Sequence, residues 1–104
     1  MLPLSSQTAL ITGAGRGLGR EIALALARSG ASLWLASRTA SDLEQTAELA
    51  QNLGAEVRTW VADVASEDDV NRLREAVESA PATVSILVNN AGIHLRKMVT
   101  DITL

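Results

Sequence analysis

Apolar residues along this chain recur with two different periods, and the switches between them mark out the elements. Four short runs rich in aliphatic and β-branched residues predict strands: Thr8–Thr12 (TALIT), 32–36 (SLWLA), 56–61 (EVRTWV) and 83–88 (TVSILV). Three helical patterns lie between them. The first has an apolar face at Leu18, Ile22, Ala25, Leu26 and Ser29 and stops at Gly30. The second opens at Ser41, with Glu44 three residues on as in a capping box. Its inner face is Leu43, Ala47, Ala50 and Leu53, and Gly54 ends it. Ser66 caps the third, whose first turn carries Glu67, Asp68 and Asp69 to complement the helix dipole. Val70, Leu73, Val77 and Ala80 form its buried face and Pro81 stops it. From Asn89 the chain begins as a polar turn and shows no clear pattern afterwards.

The resulting order, βαβαβαβ, implies parallel strands joined by right-handed crossovers within one α/β unit. Composition adds exclusions. The 104 residues are 47% hydrophobic with two Trp, no Phe and no Tyr, so the core relies on small and branched side chains. The net charge of −3 and the absence of a Lys/Arg stripe argue against nucleic acid as a partner. Without Cys there is no disulfide or thiolate chemistry, and a lone His94 makes an imidazole metal site unexpected. Lys97, the only lysine, reads as a solvated charge. No run approaches the roughly 20 apolar residues that span a bilayer. The N-terminus lacks the basic and apolar regions of a signal peptide, so a cytoplasmic location is the expectation.

The densest chemical signal is the glycine cluster between the first strand and the first helix: Gly13, Gly15, Gly17 and Gly19. A phosphate held there needs a tight turn, close backbone and a helix N-terminus aimed at the charge. The spacing is Thr12-Gly13-x-x-x-Gly17-x-Gly19; the G-x-G-x-x-G fingerprint fails at Leu18, and no P-loop Gly-Lys-Ser/Thr triplet occurs. In such folds an acidic residue ending the second strand bonds the ribose 2′-OH of NAD, whereas a basic one accommodates the 2′-phosphate of NADP. Here that corner reads Ala36-Ser37-Arg38-Thr39, with no acid before Asp42, which falls inside the helix start. Ser37 offers a hydroxyl, Arg38 a fork for phosphate, and Arg16 approaches from the glycine turn. NADP(H) is therefore expected in preference to NAD(H).

Together with Asp63-Val64 and Asn89-Asn90-Ala91-Gly92, the glycine motif gives the chain a close resemblance to the short-chain dehydrogenase/reductase family. The resemblance implies a Rossmann-like doubly wound parallel sheet of about four strands, order 3-2-1-4, and three helices. The first two helices would lie on one face and the third on the other. It implies NAD(P)-dependent oxidoreductases as relatives. Gly13, Gly15, Arg16, Gly17, Leu18 and Gly19 would line the cofactor, with Gly13, Gly17 and Gly19 against the pyrophosphate. Asp63 and Val64 would contact adenine. Asn89, Ala91 and Gly92 would lie beside the cofactor ribose, where residues 89–92 also brace the sheet.

The chain departs from the family in its chemistry. The family's proton donor is a tyrosine, with a lysine four residues later and a serine upstream, and this sequence has no tyrosine. No catalytic residue is assigned. Residues 1–104 are expected to form an incomplete nucleotide-binding domain, inactive alone, with the fourth strand as an apolar edge that favours a second polypeptide or self-association. The alternative is a dinucleotide-binding or interaction module without chemistry.

Overall fold

The computed structural model describes residues 2–80 and 83–90. Seven elements follow in order: β1 (Thr8–Thr12), α1 (Gly17–Arg28), β2 (Ser32–Ser37), α2 (Ala40–Asn52), β3 (Val57–Val61), α3 (Glu67–Ser79) and β4 (Ile86–Val88). The strands form one parallel sheet in the order β3-β2-β1-β4, the order that the family resemblance implies. Every residue of β1 is buried, and β2 is buried from Leu33 to Ser37. These are the two central strands, covered on both faces, and their near-continuous apolar runs reflect that position.

The two faces of the sheet carry separate cores. Ala9, Ile11, Leu33 and Leu35 point to α1 and α2, packing with Ala23, Leu24, Ala27, Leu43, Ala47 and Ala50. Leu10, Trp34 and Ala36 point the opposite way, onto Val64, Val70, Leu73 and Val77 of the α3 side. This alternation follows from the two-residue period of a strand. Trp34 meets Trp60 edge to face, with ring centroids 5.6 Å apart and planes at 67°. The pair lies on the α3 side of the sheet, near the β3 edge.

Several details differ from the sequence reading. The buried face of α1 is Gly19, Ala23, Leu24 and Ala27, not the stripe through Leu18 and Ala25, both of which are exposed. Small residues sit beneath the helix because it lies close to the sheet; the bulkier Ile22 and Leu26 flank the contact, half-buried. Ser41 does not cap α2. The N-cap is Thr39, without a side-chain cap bond, and Ser41 lies inside the first turn. Leu53 is 44% exposed and ends the helix rather than extending its inner face. Ser66 does cap α3, accepting from the Asp69 N–H. That helix ends at Ser79; Pro81 lies outside the described residues. β4 is shorter than its apolar run, because Val84 is buried ahead of it while Ser85 bonds Thr8 through backbone and hydroxyl. Among the described residues no strand pairs with β4 except β1.

The corrected face of α1 gives a direct test. Ala23→Leu forces extra volume into a closed contact and is expected to cost about 1–3 kcal/mol in chemical denaturation. Ala25→Leu is expected to change stability by no more than about 0.5 kcal/mol. The reverse ranking would restore the face read from the sequence.

Candidate functional site

The carboxyl ends of the strands converge on the loop after β1, which turns at Gly13 and Gly17 with φ of 63° and 59°. Both values are in the left-handed region that glycine tolerates without strain. Gly19 serves a different need. A Cβ there would stand 2.0 Å from the Gly13 carbonyl oxygen and 2.8 Å from Asn90 Nδ2. The first turn of α1 is thus seated directly on the end of β1. Asn90 closes the seam: its backbone N–H donates to Thr12 Oγ1 at 3.2 Å and its side-chain amide donates to the Gly13 carbonyl at 3.3 Å. Thr12 in turn donates to the Val88 carbonyl at 3.5 Å, so the ends of β1 and β4 are tied together.

A second clasp joins the glycine turn to α2. Arg20 Nε donates to Thr46 Oγ1 at 2.9 Å, and its Nη2 donates to the carbonyls of Gly15 and Asp42 at 2.5 and 3.2 Å. The Thr46 hydroxyl, fully buried, donates to the same Gly15 carbonyl at 3.1 Å. Neither residue stood out in the sequence. The available signal was a polar Thr46 on the inner face of α2, next to Ala47, and an arginine directly after the glycines.

Beside the glycine turn lies a cleft of about 330 Å³. Gly13, Gly15, Arg16, Ser37, Arg38, Asp63 and Val64 line it, together with Thr39 and Asp42. It opens at the carboxyl ends of β1, β2 and β3, where ligands bind in open α/β sheets. Ser37 is buried, and its Oγ accepts from the Thr39 N–H at 3.4 Å. Arg38 is exposed, and among the described residues no group bonds its guanidinium. Arg16 Nε stands 4.0 Å from the Asp42 carboxylate. Asp42 is in the first turn of α2, as its position suggested, but it also faces the cleft. Gly17 and Leu18 stand exposed on the first turn of α1, outside the cleft lining, and Gly19 is buried beneath it. Asn89 is exposed beyond β4; Ala91 and Gly92, with His94 and Lys97, lie outside the described residues.

The loop from β3 to α3 is ordered by carboxylates. Asp63 Oδ1 accepts from the Ala65 N–H at 2.9 Å, an Asx-type turn, while the Asp63 N–H donates to Asp69 Oδ2 at 2.9 Å. Arg72 pairs with Asp69 from the next turn of the helix. The hydrogen bond from Asp63, and then Arg72, hold the Asp69 carboxyl below its usual range. Val64 is only 6% exposed; it lines the cleft with one side and packs in the α3 core with the other. Among the described residues there is no group of three or more His, Cys, Asp or Glu able to hold a metal. No helix among them is long and apolar enough to cross a membrane.

Residues 7–104 match the family described as short chain dehydrogenase. An uncharacterized oxidoreductase of Mycobacterium tuberculosis is 41% identical over 92 residues, covering 88% of this chain and 35% of that protein. Xylitol dehydrogenase with bound NAD+ superposes with a TM-score of 0.81 at 32% identity, over 88% of this chain and 35% of the other. L-Sorbose reductase from Gluconobacter frateurii, complexed with NADPH and L-sorbose, superposes with a TM-score of 0.79 at 35% identity, over 88% and 35%. The chain thus spans about a third of the length of the proteins it matches.

Two measurements probe the construction of the site. Gly19→Ala must push α1 off the Gly13 carbonyl, and a loss of more than about 2 kcal/mol of folding stability is expected; an unchanged midpoint would contradict the close seating. Asp69 carries a lowered folded pKa, so its contribution is full above the ordinary carboxylate pKa of about 4 and is lost as pH falls through the lower folded value. Denaturation curves from pH 7 to pH 3 are expected to show a shallower acid decline for Asp69→Asn than for the parent. Equal slopes would contradict the role given to Asp69.

Proposed function

The chain belongs to the short chain dehydrogenase family, and on that premise we propose that it forms the NADP(H)-binding part of an oxidoreductase acting on an alcohol or carbonyl group. The observation that carries the choice of cofactor is the corner after β2. It ends in Ser37 and Arg38 with no acidic side chain, and Arg16 stands on the same cleft. A 2′-phosphate carries up to about two negative charges, which two guanidiniums accommodate and a ribose hydroxyl does not require. Relatives of known structure include one with bound NAD+ and one complexed with NADPH, so the family alone leaves this choice to the β2 corner.

The remaining residues fit the rest of a dinucleotide. The N-terminus of α1 follows the glycine turn with no capping side chain and no acid in its first turn, which leaves its amides for a pyrophosphate. Leu18 and Gly17, exposed on that turn, are assigned to the same part of the cofactor. Asp63 and Val64 at the end of β3 are assigned to adenine, and Asn89, Ala91 and Gly92 to the neighbouring ribose. A bound nicotinamide cofactor supplies or accepts the hydride. The residues of this chain bind and orient the nucleotide. The sequence has no tyrosine, so none of its residues is assigned proton transfer to a substrate, and these 104 residues are expected to bind cofactor without turnover.

Calorimetric titration with NADPH, NADH and adenosine 2′,5′-bisphosphate tests the assignment. NADPH and the bisphosphate are expected to bind with similar affinity, each at least about tenfold tighter than NADH. Arg38→Gln is expected to erase most of that difference. NADH binding as tightly as NADPH would contradict the assignment of the β2 corner.

A further inference from the structure

Asp42 is the cleft residue that the proposed site leaves without a task. It sits in the first turn of α2 and lines the same cleft as Arg16, Ser37 and Arg38. Its backbone is anchored: its carbonyl accepts from Arg20, and its Cβ lies 2.9 Å from where a Cβ on Gly15 would stand. Its side chain is 29% exposed, against 78% for Arg16. The root of this short side chain is therefore held against the glycine turn, and the long Arg16 side chain is the partner that reaches its carboxylate.

Resting on the NADP(H) reading of this cleft, we infer that Asp42 is a specificity-determining residue that competes with the 2′-phosphate for Arg16. The other acid on the cleft, Asp63, is committed to its own loop through Ala65 N–H. Asp42 has no such bond from its carboxylate; among the described residues Arg16 is its charged partner. An ion pair this wide and this exposed is weak, so a phosphate with up to about two charges can take Arg16 from it. Yet the anchored carboxylate stays beside the incoming dianion. With Asp63 also on the lining, two arginines and two aspartates leave the cleft without net charge, and Asp42 is the carboxylate that stands against Arg16. Discrimination for NADP(H) is thus set lower than Arg16 and Arg38 alone would give, and NAD(H) remains a competitor.

The test is the ratio of NADPH to NADH affinity, measured by fluorescence titration on the parent, Asp42→Asn and Asp42→Ser. Removing the charge is expected to raise NADPH affinity about fivefold and leave NADH affinity unchanged, with the gain shrinking at high salt. In an Arg16→Gln background the same change at Asp42 is expected to give a smaller gain, since only the direct repulsion of the phosphate is then relieved. A general loosening of α2 would lower both affinities together, so the ratio separates a local charge effect from a structural one. An unmoved ratio in both neutral variants would overturn the role of Asp42 while leaving the nucleotide reading intact. So would a selective loss of NADH binding, since Asp42 would then be accepting from the ribose hydroxyl. A gain that persists in full without Arg16 would overturn the competition. No binding of either cofactor by the folded parent would overturn the nucleotide reading itself.

Discussion

The contact on which the rest of the site depends is the seating of Gly19 against the carbonyl of Gly13. No other residue type fits there, because any side chain would collide with backbone. That single approach sets the position of α1 on the end of β1. It also decides where the amides of the first turn point, since the helix axis and the turn are fixed together. Asn90 reinforces it from β4 and Arg20 with Thr46 from α2. The loop after β1 is thus held from α1, from α2 and from beyond β4 at the carbonyls of Gly13 and Gly15, and that junction forms one wall of the cleft.

Close packing recurs throughout the α1 and α2 side. Ala9, Ala14, Ala23, Ala27, Ala47 and Ala50 are all buried there. Alanine offers little area per residue, so the stabilisation comes from continuous contact over a flat interface rather than from a few large anchors. The opposite side uses another solution, with Trp34 and Trp60 supplying bulk where only α3 covers the described sheet. The buried strand β2 connects the two sides and then emerges from the core at Ser37. The step from a buried Ser37 to an exposed Arg38 places the charge at the rim of the cleft without burying it. A buried guanidinium would need a compensating partner; a rim position avoids that cost and keeps the charge available to an anion.

Much of this was legible in the sequence, and the parts that were not share a cause. Parallel pairing follows from alternation and handedness, which are local and strongly constrained, while the strand order and the helix faces come with the family resemblance. The cap at Ser66 was readable because its acceptor and its first turn of acids act within one turn. The face of α1 was misread because periodicity weighs large apolar residues, whereas this helix buries Gly19, Ala23 and Ala27 and leaves Leu18 out. The cap of α2 was placed two residues late because Ser41 looks the better acceptor, yet Thr39 carries the extended backbone that begins the helix. Arg20, Thr46 and Asp42 meet the glycine turn across 26 or more residues or from a neighbouring element, and no local pattern encodes such meetings. The glycine spacing, by contrast, encodes the turn itself, which is why the loop after β1 was legible even though its supports were not.

The most direct measurement is the residue-by-residue response of backbone amides, by NMR, as NADP+ is titrated into the isotope-labelled protein. The expected result is a set of shifts confined to the glycine turn, the first turn of α1, the Ser37–Thr39 corner, the Asp63–Ala65 loop and residues 89–92, with the far ends of the strands unmoved. Shifts concentrated elsewhere on the surface, or none at saturating nucleotide on a folded sample, would contradict the claim that this junction of β1, α1 and α2 is a nucleotide site.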